Sequence, residues 1–190
     1  MRSPDPTPGR RAALLGTLAA GAGLLLGAGP ATAAPPAPRR DRPGAADRRT
    51  RQAEWRWCHK CQSLSYGGNQ AASACPAGGT HDGSASANYL ILHVAAGGTQ
   101  SDWRWCHRCQ GMFYGGATTS GYCPVGGGHD RSGSHDYRMA VAPGVGQSDW
   151  RWCRRCQGMF FGGGQGSSRC PAGGTHDGSA SGDYVLEYLS

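Results

Sequence analysis

WRWCHRCQGMFYGG, residues 103–116, returns twice in near-copy, as WRWCHKCQSLSYGG at 55–68 and WRWCRRCQGMFFGG at 150–163. Each copy carries a Cys-x-x-Cys and is followed by one more cysteine, in CPAGGTHD, CPVGGGHD and again CPAGGTHD. Aligned on the first cysteine, the units recur after 48 and then 47 residues, a spacing that marks a repeat architecture. Relative to that cysteine, Trp stands at −3 and −1, Cys at +3 and +17, His at +23, Asp at +24, Ser at +28 and Tyr at +31 in every unit. The slack falls in the short connectors VAAGGTQSD and VAPGVGQSD. Three small modules follow, at 55–97, 103–143 and 150–190.

Periodicity within the unit is that of strands. Leu64 and Tyr66, Met112 and Tyr114, and Met159 and Phe161 alternate with Ser65, Phe113 and Phe160, a two-residue period that predicts a half-buried strand with the middle residue facing outward. Tyr89 and Ile91, Tyr137 and Met139, and Tyr184 and Leu186 repeat the alternation near each unit's end. Each Trp-Arg-Trp triplet places both indoles on one face and the arginine on the other. Helical spacing is absent from the mature chain, and glycine pairs punctuate the units as turns. The fold class is a small all-β protein. Its expected form is three tandem zinc-ribbon-like Cys3His modules, with one β-trefoil-like pseudo-threefold domain as the alternative.

The cysteine count decides what holds the units together. From residue 55 onward there are about fourteen Leu, Ile, Val and Met residues, too few for three ordinary cores. Disulfides are the default in an exported chain. Three thiols per unit leave one over, however, and nine cannot all pair. A metal ion with a fourth ligand removes the difficulty, and each unit has a histidine at one fixed distance. The sets are Cys58, Cys61, Cys75 and His81; Cys106, Cys109, Cys123 and His129; and Cys153, Cys156, Cys170 and His176. Each reads Cys-x2-Cys-x13-Cys-x5-His, a donor set suited to structural zinc, so three zinc ions are expected. One disulfide plus a free thiol per unit, or a redox Cys-x-x-Cys, are the competing readings. The glycines after each third cysteine are expected at positive φ, turning backbone N–H groups toward the thiolate. Asp82, Asp130 and Asp177, next to the ligand histidines, are expected to form Asx turns.

Four occupied positions leave no place for an activated water, and no catalytic constellation recurs. The chain therefore reads as non-enzymatic. The formal charge of +7 divides into +5 for residues 1–54 and +2 for 55–190, and three Cys3His zinc centres lower the latter to about −1. That excludes the basic stripe of a nucleic-acid binder. The tryptophans read as core rather than as stacking platforms. The candidate ligand-binding residues are Phe113 and Phe160, with the recurring Gln62, Gln110 and Gln157.

Residues 1–33 have the form of a signal peptide: Arg2, Arg10 and Arg11, a weakly apolar run, then Ala31-Thr32-Ala33 as a cleavage site. The Arg10-Arg11 pair resembles the twin-arginine signal. Residues 34–54, rich in Pro, Ala and Arg, read as a disordered leader. The expected protein is secreted and, after signal cleavage, free of the membrane and monomeric.

The unit WRWCxxCQGMFFGG…CPxGGxHD resembles a short module found, often in tandem, in secreted bacterial proteins, sometimes beside hydrolase domains. The resemblance covers residues 55–188. It implies a zinc-ribbon-like fold and secretion but no particular chemistry, and the first unit departs from it with QSLSYGG. The expected function is binding of a cell-wall or other extracellular polysaccharide, or of a protein. The alternatives are a hydrolase of unrecognised type and an extracellular metal or thiol buffer.

Overall fold

The structure, a computed structural model, describes residues 50–189; the signal-peptide expectation and almost all of the leader lie outside them. Each unit supplies three strands. The first unit has β1 (Arg51–Trp57), β2 (Leu64–Tyr66) and β3 (Asn88–Leu92); the second has β4 (Thr99–Trp105), β5 (Met112–Tyr114) and β6 (Tyr137–Val141). The third has β7 (Gln147–Trp152), β8 (Met159–Phe161) and β9 (Tyr184–Leu189). Strand β1 begins at Arg51, so residues 51–54 belong to the fold and not to the leader. The other regular pieces among the described residues are short 3₁₀ turns over Gly67–Ala72 and Gly162–Ser167.

Within each unit the Trp-Arg-Trp strand lies between its two partners, both antiparallel. Trp55 is opposite Tyr66 on one side and Tyr89 on the other, and Trp103 and Trp150 repeat this with Tyr114 and Tyr137, and with Phe161 and Tyr184. Every central strand carries a bulge just before its first tryptophan. Glu54, Asp102 and Asp149 there take φ of 72°, 68° and 68°, and their N–H groups donate to Asn88, Asp136 and Asp183. A positive φ is costly for a side-chain-bearing residue and persists only where neighbours hold it. Here a carboxylate or amide oxygen accepts the N–H that the bulge takes out of the ladder.

The units are merged. Strands β3, β6 and β9 pair with one another in a cycle, the first half of each lying against the second half of another. A second cycle links the short strands, where Tyr66 N–H donates to Gln110 O, Tyr114 N–H to Gln157 O and Phe161 N–H to Gln62 O, at 2.8–2.9 Å. Three units thus close into one pseudo-threefold domain with a nearly closed barrel-like sheet, the alternative form weighed from the sequence.

One core serves all three. Trp55, Trp103 and Trp150 are fully buried in a cluster with Tyr89, Tyr137, Tyr184, Leu64, Met112 and Met159. The tryptophans meet tyrosines of neighbouring units edge to face: Trp55 with Tyr137, Trp103 with Tyr184 and Trp150 with Tyr89, at 5.0–5.3 Å. Such contacts contribute about 1 kcal/mol each beyond the area buried. Aromatics take the volume that the scarce aliphatics cannot fill.

The expected outward faces of β5 and β8 are not outward. Phe113 is 1% exposed and Phe160 0%, so neither is a surface ligand contact. The sheet alternation fails there because both faces of these three-residue strands are covered. Met112 and Met159 enter the shared core, while Phe113 and Phe160 pack into clusters with their own unit's cysteines.

Candidate metal centres

Each Cys-x-x-Cys forms a tight turn at the end of the Trp-Arg-Trp strand. Cys58 N–H donates to Ser63 O and Gln62 N–H returns to Cys58 O, with the same pair of bonds at Cys106 and Cys153. Gln62, Gln110 and Gln157 close the turn at φ of 65–68°. Their side-chain amides face inward: Oε1 accepts the indole N–H of Trp57, Trp105 and Trp152, and Nε2 donates to the carbonyls of His59, His107 and Arg154. All three glutamines are buried, so they are structural locks and not ligand contacts.

The third cysteine arrives on the CPxGG loop. Cys75 N–H donates to Gly79 O and Gly78 N–H to Cys75 O, with both glycines at positive φ as expected. The N–H aimed at the sulfur is Ala77's, at 3.4 Å, rather than a glycine's. A basic residue at +2 of each unit, which the sequence reading passed over, ties this loop down. Lys60 Nζ donates to Gly78 O and Thr80 O, Arg108 to Gly126 O, and Arg155 to Ala172 O. The recurrence of Lys or Arg at this offset was the available signal.

The histidine follows on a segment fixed from two sides. In the outer units its N–H donates to a serine hydroxyl, His81 to Ser73 and His176 to Ser168. In the middle unit His129 N–H donates to the carbonyl of Ser120 instead. The next residue, Asp82, Asp130 or Asp177, directs its own N–H to the first cysteine's sulfur at 3.2–3.4 Å. Its carboxylate accepts from the serine two residues on, the expected Asx turn. Asp177 is held down to about 2 by those bonds from Ser179 and by Arg154.

These elements gather four buried ligand atoms per unit, all within 4.8 Å of one another: Cys58, Cys61, Cys75 and His81; Cys106, Cys109, Cys123 and His129; Cys153, Cys156, Cys170 and His176. The Sγ atoms of Cys58 and Cys75, Cys106 and Cys123, and Cys153 and Cys170 lie 3.9, 4.0 and 3.9 Å apart. The second cysteine's sulfur is 3.4–3.5 Å from the histidine Nδ1. A disulfide needs about 2.05 Å, and all nine cysteines are unbridged. Tetrahedral zinc with Zn–S bonds of about 2.3 Å and Zn–N bonds of about 2.0 Å sets edges of roughly 3.8 Å for S···S and roughly 3.5 Å for S···N. The donor set fits such an ion in both chemistry and size.

The thiols are electrostatically coupled. Hydrogen bonds from Cys61 and Cys75 hold Cys58 well below the usual thiol range, and Cys61 is driven up by donating to Cys58 and by burial. Cys106 with Cys109, and Cys153 with Cys156, divide in the same way. Three adjacent thiolates repel one another; a divalent cation would displace the remaining thiol protons and offset the repulsion with its own positive charge.

The three centres surround the axis of the ring. His81, His129 and His176 line one cleft there of about 20 Å³, enough for a single water. With Nδ1 on the metal side, Nε2 carries the proton and needs an acceptor. His176 Nε2 finds Ser63 Oγ of the first unit at 3.2 Å, while His129 Nε2 is buried with no protein partner. Phe113 and Phe160 stack on the imidazoles of His129 and His176 at 4.6 and 4.7 Å.

No family model matches the chain, and no curated protein or solved structure is significantly similar to it. No helix among the described residues is long and apolar enough to cross a membrane.

Proposed function

We propose that the chain is a secreted, non-catalytic repeat domain, stapled by three structural zinc ions, that binds an extracellular polysaccharide or protein. The carrying observation is a surface feature that recurs where units meet. Between the first and second units a cleft of about 120 Å³ is lined by Tyr66, Trp105 and Tyr137, and between the second and third one of about 220 Å³ by Tyr114, Trp152 and Tyr184. Tyr66, Trp105, Tyr114 and Trp152 are half-buried and Tyr137 and Tyr184 buried beneath them; half-buried aromatics at repeated, outward-opening positions are the composition of binding surfaces rather than of bare scaffold. Secretion rests on the signal-like residues 1–33.

The metal centres support a scaffolding role for the ions. All twelve ligands are buried, and a four-ligand site offers no open position for substrate or activated water. Buried ligands also disfavour the rapid exchange that a metal buffer needs.

The zinc-loaded mature chain should be retained by insoluble cell-wall polysaccharide or by a secreted protein, without releasing soluble products. Product release that persists after histidines outside the centres are replaced overturns the non-catalytic reading. Failure to be retained by any extracellular material overturns the binding reading.

A further inference from the structure

The clefts between units carry more chemical information than their aromatic walls. Each contains a glutamine from the start of a Trp-Arg-Trp strand whose orientation is locked. Gln52 Oε1 accepts both the indole N–H of Trp55 and the hydroxyl of Tyr137 from the next unit. Gln100 Oε1 accepts from Trp103 and from Tyr184 in the same way. Gln147 Oε1 accepts from Tyr89, completing the cycle. With the carbonyl end engaged, the amide cannot flip, and its Nε2 group is the end left to donate. Gln52 and Gln100 both line their clefts.

The tyrosine hydroxyl, having donated to the glutamine, keeps lone pairs with which to accept. Each cleft therefore offers a fixed donor and a fixed acceptor side by side. Beside them stands a half-buried indole, Trp105 or Trp152, whose own N–H is engaged by Gln110 or Gln157. The third position around the ring brings together Trp57, Phe161, Tyr89 and Gln147, with the Trp57 and Phe161 rings 6.4 Å apart. No Asp, Glu, Lys or Arg lines either cleft, and His135 is the one titratable imidazole, in the first.

We infer that these clefts bind single residues of a neutral sugar chain, a ligand class that deepens and rests on the binding function proposed above. The ligand must carry adjacent hydroxyls able both to accept from an amide N–H and to donate to a phenol oxygen. It must also present an apolar C–H face to an indole, and it must be uncharged, because no fixed cation or anion waits for it. A pyranose ring meets all three conditions. Volumes of about 120 and 220 Å³ fall below the roughly 300 Å³ of a drug-sized pocket, which limits each cleft to about one ring. Two such clefts on one rigid domain give weak single contacts and stronger attachment to a polymer.

The test is an NMR titration of the zinc-loaded mature chain with neutral oligosaccharides, namely β-1,4-linked glucose and N-acetylglucosamine oligomers and a mannan. The expected shifts fall on the Gln52 and Gln100 side-chain amides and on the Trp105 and Trp152 indoles. The triple substitution Gln52→Glu, Gln100→Glu and Gln147→Glu keeps an acceptor for each tyrosine, and for the Trp55 and Trp103 indoles, but removes the donor; the Trp150 indole N–H has no partner to lose. It should retain three zinc ions and its circular dichroism while losing about tenfold or more in affinity. Unchanged affinity in that variant, or shifts confined to residues outside the clefts, overturns the inference. Binding of only a charged polysaccharide or a protein overturns the sugar class and leaves the general binding function standing, whereas no binding to any extracellular material overturns both.

Discussion

The first unit and its two successors share a backbone but not a filling. In the second and third units the Cys-x-x-Cys runs on into Gly-Met-Phe, and the phenyl ring covers the imidazole of the metal centre. In the first unit the same three positions are Ser63, Leu64 and Ser65, and Ser65 is buried with no ring to offer His81. What the first unit supplies instead is a hydroxyl, Ser63 Oγ, that reaches across the axis to His176. The repeat therefore conserves coordination strictly while the shielding around it varies. Units that differ can coexist because each borrows packing from its neighbours.

The largest test of that sharing is to break one centre and watch the others. Cys109→Ser in the second unit removes a thiolate from a centre whose ion contributes on the order of 10 kcal/mol. That is comparable to the whole stability of a domain. If the ring is cooperative, zinc content falls from three towards none and thermal unfolding stays a single, strongly lowered transition. Loss of one ion with two units intact would show independent modules.

Next in size is the comparison of fillings. Phe113→Ala or Phe160→Ala opens a cavity beside the imidazole and should cost about 3–4 kcal/mol in urea unfolding. Ser65→Ala at the matching position of the first unit should stay within about 0.5 kcal/mol. Similar costs at all three positions would mean that shielding is not what distinguishes the units.

A smaller effect is expected at Gly121, which stands where the other units have Ser73 and Ser168. Its φ is +65°, and a Cβ there would lie 2.1 Å from the carbonyl oxygen of Cys156 in the third unit. Copying the neighbours with Gly121→Ser should therefore destabilise by about 2 kcal/mol, through strain and the clash together. The reading is a lower urea midpoint at unchanged slope. Ser63→Gly, which gives the first unit the residue of the others, should have a smaller effect than Gly121→Ser. It removes the acceptor for His176, and competition with a chromophoric chelator should show the third centre's zinc held about tenfold more weakly.

Coordination was legible because ligand chemistry fixes residue type and spacing together. Cys, Cys, Cys and His stayed in register through three copies, and the structure gathers those twelve atoms. The strands around Tyr89, Tyr137 and Tyr184 were legible for a related reason, since one face of each enters the core. Phe113 and Phe160 were misplaced because alternation presumes that a strand has a wet face, and β5 and β8 have none. The bulges at Glu54, Asp102 and Asp149 escaped notice because a positive φ at an acidic residue leaves no periodic trace. Ring closure was weakly marked. Gln52, Gln100 and Gln147 recur six positions before each first cysteine, but nothing local says that their partners are tyrosines of other units.

That circular chain of debts, in which the carbonyl of Gln62 serves Phe161 as that of Gln110 serves Tyr66, has an arithmetic consequence. In this ring two units would leave an open seam, and a fourth would find no free strand edge to join. Expansion should come in multiples of three, each triplet an independent bead on a longer string.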